Sequence, residues 1–210
     1  MRRVTVVDYG GGNIMSVVRA VEYCGAEVAV ASNPRSVVGA DRLVLPGVGS
    51  FARGMEELRS RGLDRAILDF ASTGRPFLGI CLGMQMMFEE SEEFGHCTGL
   101  GLIPGQVRKI DDRTAEGRKR KVPHIGWNSI RSAADWTGTV LAGVSEGSFV
   151  YFVHSYAVEL ADPACLLATT EYDGAVIVAA VVRGAHYGCQ FHPEKSGPDG
   201  LAIIHNFLNL

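Results

Sequence analysis

Gly79-Ile80-Cys81-Leu82-Gly83-Met84-Gln85 is the stretch whose reading decides the fold. Before it, Pro76-Phe77-Leu78-Gly79-Ile80 is a short apolar run of the kind that is buried as a strand. After it, Leu82 to Phe88 is apolar and compatible with a helix. A single cysteine stands at the junction, with a glycine two residues away on each side. That is the sequence form of a nucleophile elbow: strand, sharp turn carrying the nucleophile, helix. Strand and helix backbones pass close together at such a turn, so its flanks must be small, and Gly79 and Gly83 meet that need. A helix start points free N–H groups at the sulfur, the arrangement that favours the reactive thiolate. Cys81 is therefore the first candidate for catalytic chemistry.

Upstream of the elbow, strand and helix patterns alternate. Arg3 to Asp8 is a β-rich run closed by Tyr9-Gly10-Gly11-Gly12-Asn13, and Ile14, Val17, Val18 and Val21 then recur at helical spacing up to Gly25. Glu27 to Ala31 and Arg42 to Leu45 read as strands, Ser50 as the N-cap of a following helix, and Leu63, Ile67 and Phe70 as the face of another. This alternation implies a mostly parallel sheet with helices on both faces. The glycine run has neither dinucleotide nor P-loop spacing, so it reads as a tight strand-to-helix turn. Ligands collect beyond the carboxyl ends of parallel strands, which places that turn, Pro46-Gly47-Val48-Gly49 and Cys81 at one edge.

Downstream, Glu89 to Gly105 is acidic and then glycine-rich, and reads as a surface excursion. Gln106–Ile110, Ile125–Arg131, Phe149–Val158, Cys165–Glu171 and Val176–Val182 read as closely spaced strands, an antiparallel or mixed extension of the sheet. His186 to Phe191 returns to a strand, and Leu201, Ile204, His205 and Leu208 mark the face of a closing helix. Arg118-Lys119-Arg120-Lys121 is the one dense charge run, expected to be a solvated loop or else a docking patch for an acidic or phosphate-bearing partner.

Composition narrows the class. The 210 residues suit one large α/β domain, here 1–210, and the 47% hydrophobic content implies a packed core. A net charge of −3 argues against a general nucleic-acid binder. Five cysteines at irregular spacings, with no CxxC pair, read as reduced thiols, and no metal-ligand pattern occurs. The start of the chain runs directly into a strand pattern, and no run is long enough to cross a bilayer, so a soluble cytoplasmic protein is expected.

A cysteine nucleophile needs a base to hold it as thiolate and an acid to protonate the leaving group, and one oriented imidazole can serve as both. Of six histidines, His192 stands out, because it follows an apolar strand end and is followed by Pro193 and Glu194. If the chain is still extended there, His192 and Glu194 share a face and can meet. The order Cys81, His192, Glu194 is then a Cys-His-Glu triad. His96, His186 and His205 read as structural, and His154 as a hydrogen-bonded strand histidine.

The elbow together with Gln190-Phe191-His192-Pro193-Glu194 resembles the triad-type (class I) glutamine amidotransferases, and Pro46-Gly47-Val48-Gly49 resembles that family's oxyanion strand. The likeness covers essentially the whole chain and implies the flavodoxin-like class I glutamine amidotransferase fold. Asp8-Tyr9-Gly10-Gly11-Gly12-Asn13, Pro123-His124-Ile125-Gly126-Trp127-Asn128 and Tyr151-Phe152-Val153-His154-Ser155-Tyr156 resemble one branch, the glutaminase subunits of imidazole glycerol phosphate synthases. The resemblance implies L-glutamine as substrate, no cofactor, and a cyclase subunit as heterodimeric partner in histidine biosynthesis. That partner would make imidazole glycerol phosphate and the aminoimidazole carboxamide ribonucleotide. The chain is expected to end with the glutaminase domain, leaving no room for an acceptor-binding barrel.

The same resemblance implies roles. Cys81 is the nucleophile, His192 the proton carrier and Glu194 its orienter. Leu82 and either Val48 or Gly49 lend backbone N–H groups to the oxyanion hole. Gly47, Gly49, Gln85, Ser155 and Tyr156 form the glutamine pocket, and Asn13 and Trp127 touch the partner. Many family members carry adjacent glycines after the proline; here Val48 intervenes, and a β-branched residue tolerates unusual backbone angles poorly. Rival readings are a glutaminase for another synthase (purine, pyridoxal phosphate or anthranilate), a cysteine peptidase of similar architecture, or a catalytically silent scaffold.

Overall fold

The computed structural model describes residues 2–11 and 13–210; Gly12, within the glycine turn, lies outside the described residues. The first half follows the expected alternation. It comprises β1 (Arg2–Val7), α1 (Ile14–Tyr23), β2 (Ala26–Ala31), α2 (Pro34–Val38), β3 (Leu43–Leu45), α3 (Phe51–Ser60), α4 (Leu63–Ala71), β4 (Phe77–Ile80) and α5 (Leu82–Met86). Helix α2 is too short for its periodicity to show, but its start is locally encoded: Asn33 accepts from the Ser36 N–H at 3.0 Å and proline occupies the first turn. The elbow helix is also shorter than its apolar run. It ends at Met86, and Phe88 opens β5 (Phe88–Ser91), because the whole run is buried and periodicity cannot separate a buried helix from a buried strand.

The second half is β6 (Cys97–Thr98), β7 (Ile103–Lys109), β8 (His124–Ser132), β9 (Phe149–His154), β10 (Tyr156–Leu160), β11 (Leu166–Tyr172), β12 (Ala175–Arg183), β13 (His186–Cys189) and α6 (Gly197–Asn209). Nine strands form one sheet in the order β2-β1-β3-β4-β13-β12-β11-β8-β9. The β2–β1, β1–β3, β3–β4 and β4–β13 pairs are parallel, and the remaining pairs antiparallel. The expected antiparallel extension is therefore present.

Two expectations fail. The Glu89–Gly105 segment is exposed at Glu89, Glu92, Phe94, Gly95 and His96 but is no irregular excursion: most of β5, all of β6 and the start of β7 lie in it, and with β10 they form a second, four-stranded sheet. The apolar run Phe149–Val158 is not one strand. It breaks at Ser155, with β9 in the large sheet and β10 in the small one. Both halves of that run are strand-like, so local pattern cannot reveal which sheet each half joins.

The large sheet carries a core on each face. Along β1, Val4 and Val6 pack with Val17 and Val21 of α1 and Ile203, Ile204 and Phe207 of α6, while Val7 turns to the other side with Phe51, Leu58, Ile67 and Phe70 of α3 and α4. Each such side chain contributes roughly 1.5–3 kcal/mol by leaving water. The buried stripe of α6 is Gly200, Ile203, Ile204, Phe207 and Leu208; His205 points to solvent and Leu201 is only partly covered. The charge run is solvated at Arg118, Lys119 and Lys121 but not at Arg120, which is buried and donates to the Asp111 and Asp173 carbonyls. No helix among the described residues is long and apolar enough to cross a membrane.

Candidate active site

Strands β4 and β13 run parallel and in register, Gly79 beside Gly188 and Ile80 beside Cys189, so their carboxyl ends finish together. The Cys81 N–H donates to the Cys189 carbonyl at 2.7 Å, extending the pairing by one step. Three residues beyond Cys189 the chain reaches His192. Register alone thus brings together residues far apart in the chain.

The elbow is as tight as its glycines imply. A Cβ on Gly83 would lie 1.8 Å from the Leu45 carbonyl oxygen, and one on Gly79 would lie 2.8 Å from the Met84 backbone nitrogen. Cys81 itself has φ 53° and ψ −112°, a conformation costing a non-glycine residue on the order of 1–3 kcal/mol. The cost is offset by packing on all sides: Cys81 is buried, as are Ile80, Leu82, Met84 and Met86.

His192 meets Glu194, with Nδ1 to Oε1 at 2.8 Å and both side chains almost wholly buried. They do so by a route other than the expected one. The chain is not extended there: a 3-10 turn runs over Pro193–Lys195, and that turn brings the carboxylate back under the ring. Burial lowers the His192 pKa, but the neighbouring Cys81 sulfur and Glu194 carboxylate outweigh it and raise the value to about 9. The backbone is pinned as well. The His192 N–H donates to the Tyr151 carbonyl at 2.9 Å, and the Ser196 hydroxyl donates to the His192 carbonyl at 2.6 Å.

In front of the sulfur lies a cavity of about 310 Å³ whose walls include Val48, Gly49, Cys81, Leu82, Gln85, Ser155 and Tyr156. These seven expected site residues, drawn from β3's exit turn, the elbow and the β9–β10 crossing, share one cavity. Gly47 does not line it. It lies beneath, where a Cβ would meet the Tyr9 hydroxyl at 2.7 Å and the Gly83 nitrogen at 2.8 Å. Gly49 carries the turn's unusual backbone angle, φ 107°, while Val48 is 43% exposed. Asn13 is exposed ahead of α1, and Trp127 is 53% exposed on β8, edge-on to Tyr151 at 6.1 Å.

Gln190, Glu93 and Tyr9 also lie at or beside the site, and the sequence alone did not place them there. Gln190 is fully buried and accepts from Gln85 Nε2 at 3.0 Å while its own amide lies 3.8 Å from the Cys81 sulfur. It stands in the quoted His-Pro-Glu motif, but nothing local says that it faces the sulfur. Glu93 also lines the cavity. It accepts from the Phe51 N–H at 2.6 Å, capping α3 in place of Ser50, whose side chain makes no cap bond. Burial raises the Glu93 pKa despite that bond. Tyr9 is buried, its hydroxyl has no partner among the described residues, and burial first, then Cys81, raises its pKa. Among the described residues no cluster of three or more potential metal ligands occurs.

Comparison with known proteins places these features in a family. The model for "Glutamine amidotransferase class-I" matches residues 5–210. The chain is 48% identical over 213 residues to imidazole glycerol phosphate synthase subunit HisH 1 of Legionella pneumophila (strain Lens), covering 100% of both chains. It is 46% identical over 207 residues to the HisH subunit of Bacillus velezensis, covering 99% of this chain and 96% of that one. Among solved structures, PurLQS from Thermotoga maritima superposes with a TM-score of 0.73 at 19% identity, covering 100% of this chain and 99% of that one, a likeness of fold alone. A match running from β1 to the last residue, with relatives nearly half identical over their whole length, leaves one kinship: this chain belongs to the class I glutamine amidotransferase family, on the branch of the HisH subunits of imidazole glycerol phosphate synthase.

Proposed function

We propose that the chain hydrolyses L-glutamine to L-glutamate and ammonia at Cys81, and passes the ammonia to the cyclase subunit of an imidazole glycerol phosphate synthase in histidine biosynthesis. The observation that carries this reading is the buried 2.8 Å His192–Glu194 pair beside an elbow cysteine at the sheet's carboxyl edge. His192 takes the Cys81 thiol proton, the sulfur attacks the side-chain amide carbon, and the carbonyl electron pair moves to oxygen. Backbone N–H groups of Leu82 and of Val48 or Gly49 are the donors for that oxyanion; losing one such donor costs about a hundredfold or more in rate. The intermediate collapses to a thioester as the amide nitrogen takes a proton from His192 and departs as ammonia. His192 then takes a proton from water, whose oxygen attacks the thioester carbon; the carbon–sulfur bond breaks and glutamate leaves. Glu194 holds the imidazole in the tautomer that keeps Nε2 toward the sulfur. Cyclisation belongs to the partner.

Docking fits the same edge. Ile125 and Trp127 on β8 and Phe149 on β9 are each more than half exposed, and the β8–β9 register places them on one face with Tyr151. Contiguous apolar surface of this kind marks an interaction site. A sealed complex also keeps ammonia from being protonated in water. Resetting of the Val48–Gly49 turn on docking accounts for a second expectation: activity is low alone and rises when the cyclase carries its ribonucleotide substrate. The test is glutamate release with and without the cyclase subunit and that ligand, beside co-purification of the two chains. Full turnover by the isolated chain refutes the activation, and failure of the chains to associate refutes the partner.

A further inference from the structure

Asn128, His124 and His154 form a file of hydrogen bonds that ends on the Tyr156 carbonyl. That oxygen can only accept, so His154 Nδ1, 2.8 Å away, carries the proton. In a neutral ring Nε2 is then an acceptor, and His124 Nδ1 at 3.0 Å must be the donor facing it. His124 Nε2 becomes an acceptor in turn, and the donor at 3.5 Å is the Asn128 amide, whose other proton goes to the Glu171 carbonyl at 2.7 Å. The end points thus assign both tautomers, and every donor in the file points the same way, from the apolar docking strand to the cavity. The His124 ring also stacks on Tyr172, with centroids 3.9 Å apart, and on Phe152, with centroids 4.7 Å apart.

The file ends where the fold needs support. At Ser155 the chain leaves the large sheet for the small one, so Tyr156 begins a strand on a different scaffold. The Tyr156 carbonyl accepts from Gln85 Nε2 at 2.9 Å as well as from His154. Gln85 reaches Gln190, and Gln190 approaches the Cys81 sulfur. One backbone oxygen therefore sets both the cavity wall and a side chain of its floor.

We propose that His154, held in a single tautomer by His124 and Asn128, is the positioning residue that fixes the Tyr156 carbonyl and with it the glutamine-holding wall. This rests on the reading of the cavity as the glutamine site. The experiment is glutamate release by the complex with the cyclase subunit and its ligand, read as KM against kcat. His154→Phe keeps the ring volume and removes the donor; KM for glutamine rises about tenfold while kcat changes by less than about threefold. His154→Asn restores an N–H near the Nδ1 position and recovers most of the KM. His124→Phe keeps the stack, releases His154 Nε2 and gives an intermediate KM. An unchanged KM in His154→Phe, or no recovery in His154→Asn, overturns the proposal. A second readout needs neither glutamine nor a variant: imidazole nitrogen shifts of the wild-type chain should show His154 with its proton on Nδ1. A proton on Nε2 overturns the file itself. No glutamate release by the wild-type complex, with the Nδ1 tautomer in place, refutes the glutaminase reading and leaves the file standing.

Discussion

Two groups of buried histidines lie along the same rim of the sheet and are driven to opposite charge states. His192 is 2.8 Å from a carboxylate and next to a sulfur, and its pKa rises to about 9. His124 and His154 have each other, a carbonyl, an amide and aromatic faces, and burial lowers both to about 4. Burial acts in the same direction on all three. What differs is whether a group that can carry negative charge is within reach. The first arrangement suits a ring that must take up and give back a proton. The second suits rings that hold other atoms still, because an extra proton on either would set N–H against N–H.

The comparison breaks most visibly in catalysis. His192→Ala should lower kcat for glutamine hydrolysis by about a thousandfold or more, as should Cys81→Ala, while the cyclase partner still uses free ammonia. His154→Asn in the same assay should stay within about tenfold; equal losses at both sites would mean that the two groups of histidines do not differ in role. Next in size, Glu194→Gln should cost about a hundredfold in kcat and bring the His192 pKa back toward its ordinary value. An NMR titration in which that pKa stays near 9 would show that the carboxylate is not a source of the shift.

Stability against pH separates the groups without any chemistry. The folded His192 value lies above the unfolded one, so its contribution is complete below pH about 6.5 and is lost as the pH rises toward about 9. The folded His154 value lies below the unfolded one, so the unfolded chain binds the extra proton and stability is lost as the pH falls from about 6.5 toward about 4. Thermal melts should therefore decline on both sides of neutrality. Replacing His154 with Asn should flatten the acid side by on the order of 2 kcal/mol and leave the alkaline side alone. The smallest effect is Asn128→Ala, which removes the last donor of the file; KM for glutamine should rise by no more than about threefold. A larger rise would place the weight of the file on Asn128.

Much of the site was legible because its chemistry is local. Gly79 and Gly83 flank Cys81 since two backbones touch there, and a glycine at such spacing can be read without coordinates. His192 and Glu194 are two residues apart, so their meeting was foreseeable, although the expected extended backbone is a 3-10 turn. Gln190, Glu93 and His154 were not legible as a group. Their partners lie on other strands, at a distance set by register, and a buried polar side chain looks the same in sequence whichever partner it has.

The amino-acid sequence by itself determined the alternating strands and helices, the elbow, the pairing of His192 with Glu194 and the family, because each is written in short-range spacing. Only the tertiary structure decided that the chain changes sheets at Ser155, that Gly47 lies beneath the cavity, and that two of three buried rim histidines are neutral. Those outcomes depend on which backbones pair and which groups that pairing brings within a few ångströms, and pairing is a property of the whole fold.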